Sequence, residues 1–370
     1  MIAVQETMAE TILEQTLGSI EVVDPRWINR AAERQLQLTK PPGSLGRLEE
    51  VANRCAAIQE TLSPIVDRAR VMLFAGDHGV CEEGVSPYPQ SVTAQMVLNF
   101  AKGGAAINAL ARECRLDLVV VDVGIANPVS LGNELVHRPI APGTRNFCKE
   151  AAMTLDQARL AVEVGIETVT QACEQGCYLL GVGEMGIGNT TVASALTAAL
   201  TGLTPEKVVG RGTGADDTCL SRKVSAVERA LHRHYDGPLP PLELLARLGG
   251  FEIAAICGAC LAGARFRRPM VVDGFIATAA AAVAVQFDSR IRDYLFASHR
   301  STEPGHGVLL ERLQYRPLLD LAMRLGEGTG AALAMTVVRC AIAAFTQMAT
   351  FESARVSGPT IPQTDLPGRT

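Results

Sequence analysis

Four times along this chain a short apolar run breaks at a glycine and gives way to helical periodicity. The runs are Val71–Ala75 before Gly76, Leu116–Val123 before Gly124, Tyr178–Val182 before Gly183, and Met270–Val272 before Asp273-Gly274. Continuous apolar runs without polar alternation suit strands buried on both faces, the situation of a parallel sheet. Parallel strands need crossover connections, and predicted helices near Val92–Arg112, over about Leu155–Gln175 and from Asn189 supply them. The fold class is therefore α/β, a parallel sheet with crossover helices. Ligands of such sheets collect beyond the carboxyl ends of the strands, which directs attention to the loops around Asp77, Gly124, Glu184 and Asp273.

The two ends of the chain read as helix. Residues 1–60 are predicted helical, with a stiff turn at Pro41-Pro42-Gly43, Ser44 as N-cap, and Leu45, Leu48, Val51, Cys55 and Ile58 at helical spacing. Residues 310–350 return to helix, and the tail from Ser357 is predicted loose. The expected division is residues 1–62 as N-terminal helices of a small domain and residues 63–308 as a large α/β nucleotide-binding domain. Residues 309–356 bring C-terminal helices and a catalytic loop to the small domain, and residues 357–370 form a tail. A net charge of −5 and an aromatic content of 4% exclude the basic, base-stacking surface of a general nucleic-acid binder. The longest apolar run, Phe275–Val285, is eleven residues, short of the ~20 of a membrane span. The first residues carry Glu6, Glu10 and Glu14 rather than a basic-then-apolar signal, so a cytoplasmic protein without membrane contact is expected. Cys173/Cys177 and Cys257/Cys260 lie one helical turn apart without a matching second pair, and read as reduced core thiols.

Three glycine loops point to a phosphorylated ligand. Gly181-Val182-Gly183-Glu184-Met185-Gly186 is a literal G-x-G-x-x-G after a strand and before a helix, but Glu184 inside it would repel a pyrophosphate. A mononucleotide or phosphosugar suits it better. Gly210–Gly214 is followed by Lys223, an ammonium for a phosphate, and Gly326–Gly330 encloses Glu327 between two glycines. Apolar residues flank Glu327 on both sides, so desolvation should raise its pKa into the range of a general base; helix capping is the plainer reading of the same acid. Asp77-His78 closes the first strand. The remaining histidines lack ligand spacing with it, His232 and His234 sit two apart on an exposed helix, and no metal site is expected. Ser298–Ser301 has no nucleophile elbow before it, which argues against a serine hydrolase.

Five blocks together resemble one family. Lys40–Glu49 (KPPGSLGRLE), Ala75–Val80 (AGDHGV), Gly183–Thr191 (GEMGIGNTT), Val272–Phe275 (VDGF) and Arg324–Leu333 (RLGEGTGAAL) match, in order, the nicotinate-nucleotide–dimethylbenzimidazole phosphoribosyltransferases. The resemblance runs from about residue 40 to residue 350. It implies a Rossmann-like sheet, a smaller helical domain built from both termini, a homodimer, no metal and no cofactor. The implied reaction moves the phosphoribosyl group of nicotinate mononucleotide to 5,6-dimethylbenzimidazole during assembly of the cobalamin lower nucleotide loop.

The resemblance puts the general base on Glu327 and the phosphate and ribose contacts on or near Glu184, Gly186, Lys223, Gly274, Ser301 and Leu325. Asn189 and Thr190 of the third block, Gly212 of the middle glycine loop, and Asp77 and His78 of the second block join the expected binding set. Tyr88 and Met96 fall where the family carries a small polar residue and a glutamine against the acceptor, with Gln90 and Gln95 nearby. Related benzimidazoles, a purine or a phenol are therefore conceivable acceptors. Two other readings stay open on sequence: a nicotinamide-dependent oxidoreductase using Gly181, Gly183 and Gly186, and a non-catalytic nucleotide-binding protein.

Overall fold

The computed structural model describes residues 10–127 and 135–358. Three helices come first: α1 (Ile12–Gly18), α2 (Pro25–Gln37) and α3 (Arg47–Gln59). Strand β1 (Ala69–Gly76) is followed by α4 (Ser91–Ala101) and α5 (Ala106–Glu113), then β2 (Asp117–Gly124) and the short β3 (Val136–His137). Helix α6 (Leu155–Glu174) leads to β4 (Leu179–Met185). Helices α7 (Asn189–Thr201), α8 (Pro205–Val208), α9 (Asp217–His234), α10 (Pro241–Leu248) and α11 (Phe251–Arg265) follow before β5 (Met270–Val272). The chain then runs through α12 (Phe275–Phe287), β6 (Leu295–Ala297), α13 (Pro304–Leu313), α14 (Thr329–Gln347) and α15 (Phe351–Ala354).

The strands form one sheet in the order β3-β2-β1-β4-β5-β6, every pair parallel. This is the doubly wound order whose direction of growth reverses between β1 and β4, the point at which such sheets bind ligands. Helices α5 and α14 pack together with α3 and α14 lies on β4, while α11 lies on β1, β2 and β4 with α6 outside it. The sheet is thus buried from both faces, and the central residues Val71–Ala75 are fully inaccessible to water.

Several boundaries differ from the sequence expectation. The third strand does not stop at Gly183 but continues to Met185, so Gly181, Gly183 and Glu184 are strand residues. A β-carbon at Gly181 would lie 2.6 Å from the Met335 sulfur, and one at Gly183 2.3 Å from the Gly328 nitrogen. These glycines admit α14 and the loop before it, which replaces the phosphate-cradling reading of the first two glycines by a packing one. The helix expected over Val92–Arg112 is two, broken at Gly103, whose φ of +75° no ordinary helix contains. Ser44 is not a cap: α3 begins at Arg47 behind Gly46, with Ser44 in the preceding turn. The chain between α13 and α14 is irregular rather than helical. His234 is buried, its Nε2 2.8 Å from the Phe147 carbonyl, not exposed beside His232. The expected loose tail lies almost wholly outside the described residues.

Helix α14 is long and apolar enough to cross a membrane by length and composition. Its buried face packs on β4, and Arg339 within it donates to the carbonyls of Asp67, Cys114 and Arg115, the contacts of a core helix. Cys173, Cys177, Cys257 and Cys260 are buried free thiols, and burial pushes the Cys260 thiol up to about 12.

Candidate active site

A cavity of about 320 Å³ opens above the carboxyl ends of β4, β5 and β6. Its floor is the turn after β4, Gly186 to Thr190, and the N-terminus of α12 at Gly274. Lys223 of α9, the Gly212 loop, Ser301 and Glu303 close one side, and Leu325 to Glu327 close another. Val85, Tyr88, Val92 and Met96 form an apolar wall. The sequence-predicted residues Glu184, Gly186, Asn189, Thr190, Gly212, Lys223, Gly274, Ser301, Leu325, Glu327, Tyr88 and Met96 all border this one space.

Asp77 and His78 do not. Both are fully buried beneath the floor, and His78 Nε2 lies 2.8 Å from Glu252 Oε1 of α11. Asp77 Oδ2 accepts the Ala126 amide. Burial alone would lower the His78 pKa, but the charge and contact of Glu252 outweigh it and the net shift is upward. The strand end was legible; which way its side chains point was not. Their place is behind Gly186, where a β-carbon would stand 3.0 Å from His78 Nε2.

Glu327 rides on an unusual backbone. Gly326, Glu327 and Gly328 take φ values of +86°, +61° and +77°, and a left-handed glutamate is a strained choice that the surroundings must enforce. Asp273, at the end of β5, does the enforcing: its two carboxylate oxygens accept the amides of Gly328 and Ala331, each at 3.0 Å. That caps α14 from outside the helix and fixes the loop that carries Glu327. Glu327 is 7% exposed and its Oε2 lacks a partner among the described residues. Burial first, and then the negative charge of Asp273, push its pKa up to about 7.

Glu184 is also buried, and Asn189 Nδ2 donates to its Oε2. Burial, then Asp273 and Glu252, raise its pKa well above the usual carboxylate range, with Glu327 adding a smaller push. Lys223 is 1% exposed and donates from Nζ to Thr190 Oγ1 at 3.0 Å and to the Gly210 carbonyl at 2.7 Å. Burial lowers its pKa, and Glu303 opposes that. Ser301 is positioned through its amide, which donates to His306 Nδ1 at 2.9 Å. Burial, then His299, drive His306 down to about 3, so its nitrogen is free to accept. Asp273, Glu303 and Arg324 received no role from sequence, because each acts through a residue distant in the chain; His306 acts only five residues away, but no spacing marks an imidazole that accepts a backbone amide.

A buried ammonium, a carboxyl group with a pKa near neutrality and an apolar wall around one cavity suit the joining of a phosphorylated sugar to an apolar ring. Residues 20–356 match the DBI_PRT family, described as phosphoribosyltransferase. The chain belongs to this family. A relative from Geobacter sp. strain M21, the nicotinate-nucleotide–dimethylbenzimidazole phosphoribosyltransferase, is 48% identical over 94% of this chain and 99% of its own. The enzyme of that name from Chloroflexus aggregans is 48% identical over 94% of this chain and 98% of its own. The crystal structure of CobT from Thermus thermophilus superposes with a TM-score of 0.87 at 50% identity, covering 90% of this chain and all of that one. In this DBI_PRT phosphoribosyltransferase all three glycine loops of the sequence reach the cavity, and the first also packs α14 and its loop through Gly181 and Gly183.

Proposed function

We propose that this chain transfers the phosphoribosyl group of nicotinate mononucleotide to 5,6-dimethylbenzimidazole, releasing nicotinate and α-ribazole 5′-phosphate, a step of cobalamin assembly. The observation that carries the reading is the Glu327 carboxylate, its Oε2 without a partner among the described residues and its pKa near neutral, on a cavity that a buried ammonium also lines. Lys223 and the Gly212 loop take the phosphate; Gly186, Gly274, Ser301 and Asn189 surround the ribose; Tyr88, Met96 and Leu325 border the acceptor ring. Nicotinate departs from a pyridinium, a good leaving group that needs no acid behind it. As it leaves, positive charge grows on the ribose, and a nearby carboxylate stabilises it. Burial and the neighbouring acids raise the Glu184 pKa, and a cationic pyridinium beside it favours the carboxylate. One benzimidazole nitrogen attacks the ribose carbon while Glu327 takes the proton from the other. Holding both molecules in one cavity provides much of the remaining acceleration.

The packing of α3 against α14 supports a smaller unit of residues 1–62 and 309–356 beside residues 63–308, although α14 also covers the sheet. A homodimer, working in the cytoplasm on small molecules and without nucleic acid, belongs to the same proposal. The dinucleotide reading loses its basis, since Gly181 and Gly183 face α14 and its loop. The test is incubation with nicotinate mononucleotide and dimethylbenzimidazole followed by mass analysis. The ribotide is the expected product; its absence alongside intact substrates would overturn the proposal.

A further inference from the structure

Glu303 stands at the N-cap of α13 yet makes no capping bond to its own helix. Its side chain turns the other way. Oε1 accepts the Gly212 amide at 2.8 Å, and Oε2 finds no partner among the described residues although Glu303 is 7% exposed. On the other side of the same residue, Arg324 donates to the Gly212 carbonyl at 3.1 Å. Gly212 is thus gripped at both its N–H and its C=O. A β-carbon at Gly210 would lie 2.2 Å from Glu303 Oε2, so the loop leaves room for this carboxylate and no more. The Gly210 carbonyl, in turn, accepts from Lys223 Nζ at 2.7 Å.

A carboxylate buried beside a phosphate pocket is costly unless it does something for the cation there. We propose, on the reading that this cavity binds the phosphoribosyl donor, that Glu303 is a positioning residue: it clamps the Gly210–Gly214 loop and supplies the counter-charge that keeps the buried Lys223 ammonium presented to the donor phosphate. Arg324 is the opposing jaw, and because it lies three residues before Glu327 the clamp also ties the phosphate end of the cavity to the base.

The groups around Lys223 make the charge argument specific. On its own helix the titratable neighbour is Cys219, one turn earlier, and Arg211 and Arg324 reach the cavity from the loops. Thr190 of α7 contributes only a hydroxyl. Glu82 and Glu83, packed near α9, are engaged by Lys149, Asn146 and Arg229, while Glu243 and Arg247 of α10 pair with each other. Glu206 and Lys207 of α8 are exposed. Burial depresses the Lys223 pKa and Glu303 is the largest influence holding it up.

The test is steady-state kinetics of the native chain and Glu303→Gln, with nicotinate mononucleotide varied at saturating dimethylbenzimidazole between pH 7 and pH 10. Loss of a charge-assisted contact predicts a KM for the mononucleotide raised about tenfold or more. The kcat should change less than threefold and the KM for the base should stay put. Without the carboxylate the ammonium loses its proton more easily, so the alkaline rise in mononucleotide KM should begin at lower pH in the variant. A native mononucleotide KM, an unmoved alkaline limb, or parallel loss of kcat and both KM values would overturn the inference. Should Glu303→Gln not fold, Glu303→Asp carries the test: it keeps the charge but falls short of Gly212. It should raise the mononucleotide KM with the alkaline limb near the native position, and native kinetics there would overturn the clamp. No turnover by the native chain would sink the functional reading and this inference with it, an outcome distinct from turnover that ignores Glu303.

Discussion

Replacing Glu327 by Gln should slow the enzyme and stabilise the protein at once. Gln keeps the shape of the side chain and loses its basicity, and loss of a general base costs about 10²–10⁴-fold, so kcat should fall by that factor. Mononucleotide affinity should survive, because the proposed phosphate contacts, Lys223, Thr190 and the Gly212 loop, lie on other elements of the cavity wall. The stability effect follows from the same burial. The fold raises the Glu327 pKa from 4.5 to about 7, so the folded state prefers the neutral acid, and ionising it at neutral pH costs about 3 kcal/mol of folding free energy. That cost is absent below the unfolded pKa, grows as pH rises from about 4.5, and is complete above about 7. Gln never bears it.

Thermal or urea melts of both forms across pH 4 to 8 should therefore show the variant more stable at pH 8, with the gap closing toward pH 4. In parallel, native kcat should fall on the acid side of about pH 7 as the carboxylate protonates, and the variant should lack that limb. A variant retaining more than about a third of native kcat would reduce Glu327 to a structural loop acid and send the search for a base to Glu184. Equal stability at pH 8 would mean that the carboxylate is not desolvated as its surroundings indicate.

Lys223→Ala should raise the KM for nicotinate mononucleotide about ten- to a hundredfold and leave that for the base near native, since a charge-assisted contact is worth roughly 1.5–3 kcal/mol; an unchanged mononucleotide KM would remove the ammonium from the phosphate corner. Gly183→Ala places a β-carbon 2.3 Å from the Gly328 nitrogen, so the Glu327 loop must lift. Its kcat should drop at least tenfold with a lower melting temperature, and near-native turnover would show that the loop tolerates displacement. The wall of Tyr88, Met96, Val85 and Val92 is apolar and adaptable, and such walls resolve one methyl group by only ~1–3 kcal/mol. Competition assays should find several benzimidazoles used at comparable rates, and rejection of unsubstituted benzimidazole by more than about a thousandfold would contradict this.

The sheet was legible because its central strands are buried on both faces and therefore write themselves as unbroken apolar runs. The edges were not. β3 has two residues, and β6 has three without the glycine break that marked the equally short β5, so both are recognisable only by the neighbours they pair with. Gly183 misled for a physical reason: a glycine that ends a strand and a glycine that lets a loop settle on a strand look alike in one dimension. The cavity lining was largely readable, since glycine loops at strand ends must lie together at one end of the sheet. What supports that lining was not. The Glu303–Gly212 and Arg324–Gly212 bonds span 91 and 112 residues, and no local spacing encodes them. His78 and Asp77 show the converse, residues in a conspicuous block whose place is under the floor.

The crowding of acids explains why this site suits a donor with a cationic ring nitrogen. Burial together with the charge of Asp273 raises the pKa of both Glu184 and Glu327, so two carboxyl groups resist ionising. A nicotinate mononucleotide brings its positive ring nitrogen into that field and relieves the resistance, so binding and activation of the base are linked. Transfer then removes the cation. On the proposed mechanism the pyridinium leaves as a neutral pyridine ring, the new benzimidazole riboside is neutral, and the charge persists only as the proton passed to Glu327. The protonated acid is the form that burial favours, so the product state matches the preference of the site. Before the next cycle that proton must go to water. A base with a pKa of about 7 is a compromise between taking it from the acceptor and giving it up again.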